Sequence, residues 1–358
     1  MVNRFDAKGQ LASSNTAYEM RRKRKGSPSP TITEVARHAG VSPSTVSYVL
    51  TGNRSISEET QARVRSSIAE LNYRRHAVGR ALRAGKTNVV ALVVPFYDWL
   101  SEPVIMPYVY GVVDAARRHR WNVMLVTGES ADADVDEVVG SKMVDGVVLM
   151  EVRVDDERLT MIEQLAIPAV CLGMPSEPAT VPFVDFDFQQ AGRLCVEHLV
   201  GLGHRQIGLL ASPPGTFENN LGYAQRLWHG VADSLADAGL SFHGLPMEPT
   251  MEGAQRAVDT LLAEEPALTG LIVHSEGTID MLMQVLQRRG RAVPGDISVI
   301  AIAWGELTKH VVPPLTYVNV PAVEMGRTAI ELLAEQGSSK LLSATLVAGG
   351  TVAPPPAR

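Results

Sequence analysis

Beyond Asn88 the chain alternates short apolar runs with amphipathic stretches. The runs Val89–Val94, Val123–Val126, Gly146–Met150, Ala169–Leu172, Ile207–Leu210, Leu271–Val273 and Ser298–Ala303 are almost continuously apolar. Strands that hide both faces belong to parallel sheets covered by helices on either side. Two such sheets fit in a region of this length, which predicts two Rossmann-like lobes with a cleft where the strand ends meet.

The segment before Asn88 carries a different pattern. Thr31-Ile32-Thr33-Glu34 has the capping-box spacing, with a hydroxyl at the helix start and a carboxylate three residues on. Val35, Ala36 and Ala39 then line one helical face, and Gly40 supplies a left-handed stop. Ser42-Pro43 opens a second helix of about Pro43 to Leu50, which buries Val46, Val49 and Leu50 and exposes Ser44, Thr45, Ser47 and Tyr48. Ser57 caps a third helix, with Val64, Ile68 and Leu71 on its inner side. Two short helices joined by a glycine turn and braced by a third describe a helix-turn-helix. The expected fold class is thus multi-domain, a small all-α head followed by an α/β two-lobed body.

Charge sharpens this division. The 358 residues carry a net charge of −6, with 45% hydrophobic and 20% charged residues. Between Met20 and Lys86, however, fourteen basic residues face only four acidic ones, leaving +10 on that segment and −16 on the remainder. Phosphate neutralisation needs local positive charge, so a basic head on an acidic body is compatible with nucleic acid despite the overall sign. Residues 1–30 are polar, contain Gly26-Ser27-Pro28-Ser29-Pro30 and read as a disordered tail. No apolar run reaches bilayer length and no secretory signal is evident, which predicts a cytoplasmic protein without a membrane partner. Cys171 and Cys195 form no disulfide framework and read as small core residues.

The stretch TITEVARHAGVSPSTVSYVLTGNRSISEETQARVRSSIAELNYR closely resembles the DNA-binding head of the LacI/GalR family. GLGHRQIGLL at 201–210, ADAGL at 236–240, VPGDISVIAI at 293–302 and PPLTYVNVPAVEMG at 313–326 are similar to the family's body, which has a type I periplasmic-binding-protein fold. The resemblance implies that the second helix enters the major groove. Pro43, Ser44 and Tyr48 would then face base edges, with Ser42, Thr45 and Ser47 on phosphates, and Thr31 and Arg54 completing the head's DNA-contacting set. Tyr48 stands where the family usually has arginine, which implies a different base preference. Residues 76–87 resemble the family's hinge helix, where Ala81 and Leu82 would meet the minor groove and Leu82 would wedge a base step apart. The implied domains are a head at 31–75, the hinge, a body at 88–352 and a tail at 353–358. Within the body, one lobe takes about 88–188 and 320–338, the other about 189–317 and 340–352.

The implied partners are an operator in double-stranded DNA, a second copy of the chain (a homodimer or a pair of dimers) and a small effector, a carbohydrate or other metabolite. The cleft departs from the family's usual residues. Arg226 precedes Gly230 by four positions rather than three, Ser275-Glu276 replaces an Asn-Asp pair, and Ala303-Trp304 stands where a late Asp is usual. Asp98, Asp187, Arg226, Glu276 and Trp304 are the effector-contact candidates. No metal spacing, phosphate loop or nucleophile elbow is present, so neither cofactor nor enzyme activity is expected. Two alternatives share parts of the pattern: a solute-binding transport protein, and a DNA binder without an effector.

Overall fold

The computed structural model describes residues 30–52, 54–73, 86–95, 97–128, 131–176, 180–274 and 276–357. It divides into two units, Met1–Gly85 and Lys86–Arg358, each with its own core. Residues 74–85, which include most of the hinge with Ala81 and Leu82, lie outside the described residues, as does the tail up to residue 29.

The described part of the first unit holds α1 (Ile32–Ala39), α2 (Pro43–Thr51) and α3 (Glu58–Glu70). The expected capping box is formed. Thr31 accepts from the Glu34 backbone N–H, and the Glu34 carboxylate receives the Thr31 N–H at 2.6 Å. Gly40 at φ 68° and Gly52 at φ 71° end the first two helices in the left-handed region, where a side chain would be strained. Val35, Ala36, Ala39, Val46 and Val64 form the small core, and Val49, Leu50, Ile68 and Leu71 pack around it.

The second unit contains two six-stranded sheets. Its strands are β1 (Val89–Val93), β2 (Asn122–Val126), β3 (Gly146–Leu149), β4 (Ala169–Leu172), β5 (Phe183–Phe186), β6 (Ile207–Ala211), β7 (His243–Pro246), β8 (Gly270–Val273), β9 (Ser298–Ala303), β10 (Thr316–Asn319), β11 (Lys340–Leu342) and β12 (Leu346–Val347). The helices are α4 (Glu102–Arg118), α5 (Ala131–Gly140), α6 (Glu157–Leu165), α7 (Phe188–Gly201), α8 (Pro214–Glu218), α9 (Gly222–Asp237), α10 (Met251–Glu264), α11 (Ile279–Arg288) and α12 (Ala322–Glu335). The first sheet runs β11-β5-β4-β3-β1-β2 and the second β12-β10-β9-β8-β6-β7. All pairs are parallel except β10 with β12. Strand order reverses between β1 and β3 in one sheet and between β6 and β8 in the other. In doubly wound sheets that reversal opens a crevice at the carboxyl ends of the strands.

The chain crosses between sheets three times: after β5, after β10 and after β11. Because β11 pairs in register with β5, the last crossing follows Leu342 instead of preceding Lys340, so the first lobe reclaims residues expected in the second. The C-terminal segment is also docked rather than a free tail at Ala353. Its carbonyl accepts from Ser298 Oγ and pairs with buried His204, and its N–H donates to Ser298.

Helices α4 and α12 cross at glycines. A Cβ on Gly326 would overlap the Tyr108 carbonyl and stand 2.9 Å from the Val112 nitrogen, while one on Gly111 would overlap the Val323 carbonyl. Alanine in mid-helix gains about 1 kcal/mol of propensity over glycine. Here the obstruction is backbone, which cannot rotate away, and overpacking of that kind costs about 1–3 kcal/mol or more. Gly326→Ala is therefore expected to lower the unfolding temperature of the body by several degrees in a thermal melt. A gain in stability would show that the two helices can separate freely.

Candidate functional site

On the head, the N-terminus of α2 gathers hydroxyl groups. Ser42 caps the helix, accepting from the Thr45 N–H at 3.1 Å, and its Oγ lies 2.7 Å from Ser44 Oγ and 2.8 Å from Thr45 Oγ1. Ser42, Pro43 and Ser44 are exposed, and Thr45, Ser47 and Tyr48 are partly exposed, while Val46 on the opposite face is sealed in the core. Exposed hydroxyls and a positive dipole end make this a natural seat for a phosphate oxygen. The Arg54 guanidinium lies 5.8 Å from the centre of the Tyr48 ring, placing a cation beside the aromatic on the same surface. Thr31 is engaged in its capping box, with its hydroxyl 3.0 Å from Glu34 Oε2.

In the body, a cavity of about 120 Å³ lies between the two sheets. Its wall is drawn from the carboxyl ends of strands in both sheets: Trp99 after β1, Glu151 after β3, Asp185 in β5, Ser212 after β6 and His274 after β8. Tyr108 of α4 and Tyr223 and Arg226 of α9 complete the polar and aromatic part. The parallel topology explains the convergence, because it turns the loops of each sheet toward one edge.

Several contacts hold the two halves around this space. The Trp99 indole lies against Gly215, where any side chain would overlap it. Arg153 and Leu221 form an antiparallel bridge, reinforced by the Val154 N–H donating to the Asn220 carbonyl at 2.9 Å. Arg226, from the second lobe, donates to Asp185 Oδ2 of the first at 2.6 Å and to the Met174 carbonyl at 3.1 Å. Gly222 leaves the room its guanidinium occupies. Asp185 also accepts the Met174 and Phe186 N–H groups. Burial pushes its carboxyl above the ordinary range, opposed by Arg226 and these two donors.

Two further titratable groups face the cavity. His274 is buried, pairs through Nδ1 with Ser212 Oγ at 2.8 Å and packs against Phe188 and Tyr223. Desolvation lowers its pKa to about 4, so the imidazole is neutral. Glu151 has the opposite history. Its Oε2 is shut off from solvent with no hydrogen-bond partner, and desolvation raises the carboxyl pKa to about 7 against the pull of Arg158. Its backbone sits at φ 50°, an uncommon conformation for a residue with a side chain. Arg158, itself buried, fixes that turn by donating to the Met150 and Glu151 carbonyls at 3.1 and 3.0 Å. A strained backbone presenting an unpaired acid to a cavity is an arrangement expected of functional sites.

Residues 31–76 match bacterial regulatory proteins of the lacI family, and residues 196–352 match the periplasmic binding protein-like domain. The HTH-type transcriptional regulator CelR of Thermobifida fusca is 30% identical over 318 residues, spanning 86% of this chain and 92% of that protein. The chain belongs to the LacI family. A solved lac repressor dimer bound to operator and the anti-inducer ONPF is similar to it with a TM-score of 0.79 and 25% identity, over 91% of this chain and all of that one. A CelR–cellobiose complex is similar with a TM-score of 0.65 and 27% identity, over 90% of this chain and 99% of that one. This LacI-family protein thus carries the expected helix-turn-helix head and periplasmic-binding-protein-like body.

Of the residues expected in the cleft, only Arg226 lines the cavity. Asp98 is exposed, and its neighbour Trp99 takes the wall position. Asp187 instead caps α7, accepting from the Gln190 N–H at 2.8 Å, and Asp185 supplies the buried carboxylate. Trp304 lines a separate depression with Tyr317 and Asn319. Glu276 opens a 3-10 turn whose Gly277 borders the cavity, and its side chain lies outside the described residues. Glu151, Trp99 and Asp185 were missed. An acid inside the otherwise apolar Phe183–Phe186, and another directly after the apolar run ending at Met150, were the available signals.

Glu151 carries a stability consequence. A carboxyl whose folded pKa is raised from 4.5 to about 7 destabilises the protein where it is ionised, and acid relieves the penalty between pH 7 and 4.5. Glu151→Gln is expected to stabilise the ligand-free protein by on the order of 2–3 kcal/mol at pH 8, and by less than about 1 kcal/mol at pH 5. Thermal melts at the two pH values read this difference. An equal effect at both would mean the carboxyl is not buried unpaired.

Proposed function

We propose that this protein is a transcriptional repressor that binds a palindromic operator as a homodimer, with its grip set by a small effector in the inter-sheet cavity. The observation that carries this reading is the pairing, in one LacI-family chain, of a hydroxyl-rich helix N-terminus on a basic head with a cavity walled by both sheets of the body. Ser42, Thr45 and Ser47 hold phosphates, Pro43, Ser44 and Tyr48 face bases, and Leu82 with Ala81 enters the minor groove from the hinge. An occupant touching both lobes favours one relative orientation of them. Coupling of that kind is typically about 1–3 kcal/mol.

A second copy is supported by the surface of α4. Met106, Tyr110 and Val113 recur at helical spacing with 55%, 59% and 46% exposure, and Leu125 on edge strand β2 is also exposed. A continuous apolar stripe beside an unpaired sheet edge is the kind of surface proteins cover. The lac repressor structure similar to this chain is itself a dimer.

Selection of sites from random DNA, followed by titration at several salt concentrations, tests the whole reading. It should return an inverted repeat whose affinity falls steeply with salt and shifts when an effector is added. No enriched sequence would overturn it. Tyr110→Asp should convert the dimer to a monomer in light scattering and weaken operator binding at least tenfold. A variant that stays dimeric removes α4 from the interface. Tyr48→Arg should move the preference at one base pair toward guanine by about 1–3 kcal/mol, because only arginine offers the two-pronged contact to O6 and N7. An unchanged selected site would place Tyr48 away from the bases.

A further inference from the structure

The carbohydrate expected from family resemblance needs many hydrogen-bond partners, and several of this cavity's own are already engaged. Ser212 is paired with His274, Thr216 donates to the Pro213 carbonyl, and Asp185 is taken by Arg226 and two backbone N–H groups. Each ligand hydroxyl left unpaired in such a space costs about 1–3 kcal/mol. Much of the remaining wall is apolar or aromatic, including Trp99, Tyr108, Phe188, Tyr223, Leu172 and Met325.

Charge in the cavity is unbalanced in one direction. Arg226 and Asp185 neutralise each other, and His274 is neutral. Behind the strand end, Arg158 is paired with Asp156. Glu151 is left with a buried oxygen that no described residue satisfies. Trp99, Tyr108, Phe188 and Tyr223 line the same cavity, and aromatic faces attract cations through their quadrupole.

We propose, resting on the reading of this cavity as the effector site, that it takes a compact ring-bearing amine whose protonated nitrogen pairs with Glu151. The cation supplies the hydrogen-bond donor that Glu151 Oε2 lacks, and the ring occupies the aromatic wall. Binding draws Glu151 into its ionised form, so acidification opposes it. The ionisable groups sharing the wall are Asp185, Arg226 and His274, with Arg158 and Asp156 behind. Loss of the pH effect on Glu151→Gln separates Glu151 from all of them.

The test is calorimetric titration of the full-length protein with 2-phenylethylamine, its hydroxyl isostere 2-phenylethanol, glucose and cellobiose, at pH 6, 7 and 8. The amine should bind at least tenfold more tightly than the alcohol at pH 8. Its affinity should fall about tenfold from pH 8 to pH 6, following the ionised fraction of a group titrating near 7 while the amine stays charged. Glu151→Gln should abolish both the preference and the slope while leaving the alcohol unaffected. The wild-type slope stands as evidence even if that variant folds poorly. An amine no tighter than its alcohol, or a preference surviving in Glu151→Gln, overturns the proposal. Binding of a sugar in place of the amine overturns it too but leaves the effector reading standing. Silence from all four compounds also overturns the amine assignment, while the effector reading keeps its own test in operator affinity.

Discussion

The ion pair between Arg226 and Asp185 joins the two sheets of the body at the wall of the cavity between them. Taking both charges out of solvent costs several kcal/mol each, which their mutual attraction repays only when the remaining hydrogen-bonding capacity is also met. For Asp185 it is met, by two backbone donors and one guanidinium nitrogen. For Arg226 it is not, since Nε is buried without a partner. The pair is therefore a weak source of stability and a strong source of geometry. It sets the distance between β5 and α9, and with them the width of the cavity. The Arg153–Leu221 bridge ties the loop after β3 to the start of α9, so Glu151 and Arg226 are held by connected backbone.

This explains why the sheets and the site were not equally legible in sequence. Strands such as Ser298–Ala303 and Ala169–Leu172 announce themselves because parallel strands buried on both faces tolerate little polarity. The expectation missed β5, whose four residues include Asp185, β7, which is only half-buried and contains His243 and Pro246, and β10, which alternates buried Thr316 and Val318 with half-buried Tyr317 and Asn319. Strands β11 and β12, three and two residues long and largely exposed, carry no pattern to read. Their absence displaced the last lobe crossing. In the head, by contrast, each helix boundary was fixed by local capping chemistry, which sequence shows directly.

The cavity was harder because its residues act through tertiary partners. Asp185 and Asp187 are two positions apart in one short motif, yet one is buried against Arg226 and the other caps a helix. Nothing local separates those fates. Trp99 and Trp304 both follow apolar strands, but only Trp99 meets a glycine, Gly215, on the opposing lobe that leaves room for an indole. Glu151 depends on Arg158, seven residues later, to hold the strand end in a left-handed turn.

An unpaired acid and a half-paired arginine lining one cavity also bear on how occupancy would be sensed. A ligand shifts a conformational equilibrium only by its difference in affinity for the two states. Groups already satisfied within one lobe offer little difference, because they need the ligand in neither state. Glu151 and Arg226 come from opposite lobes, and each keeps one buried atom without a partner. A molecule that satisfies Glu151 while resting on the wall of the opposite lobe can do so only while the lobes stand at one separation, so its binding energy is spent on that arrangement. The defects in the cavity's hydrogen bonding are thus what would make the body responsive, and a fully satisfied interior would bind more rigidly and signal less.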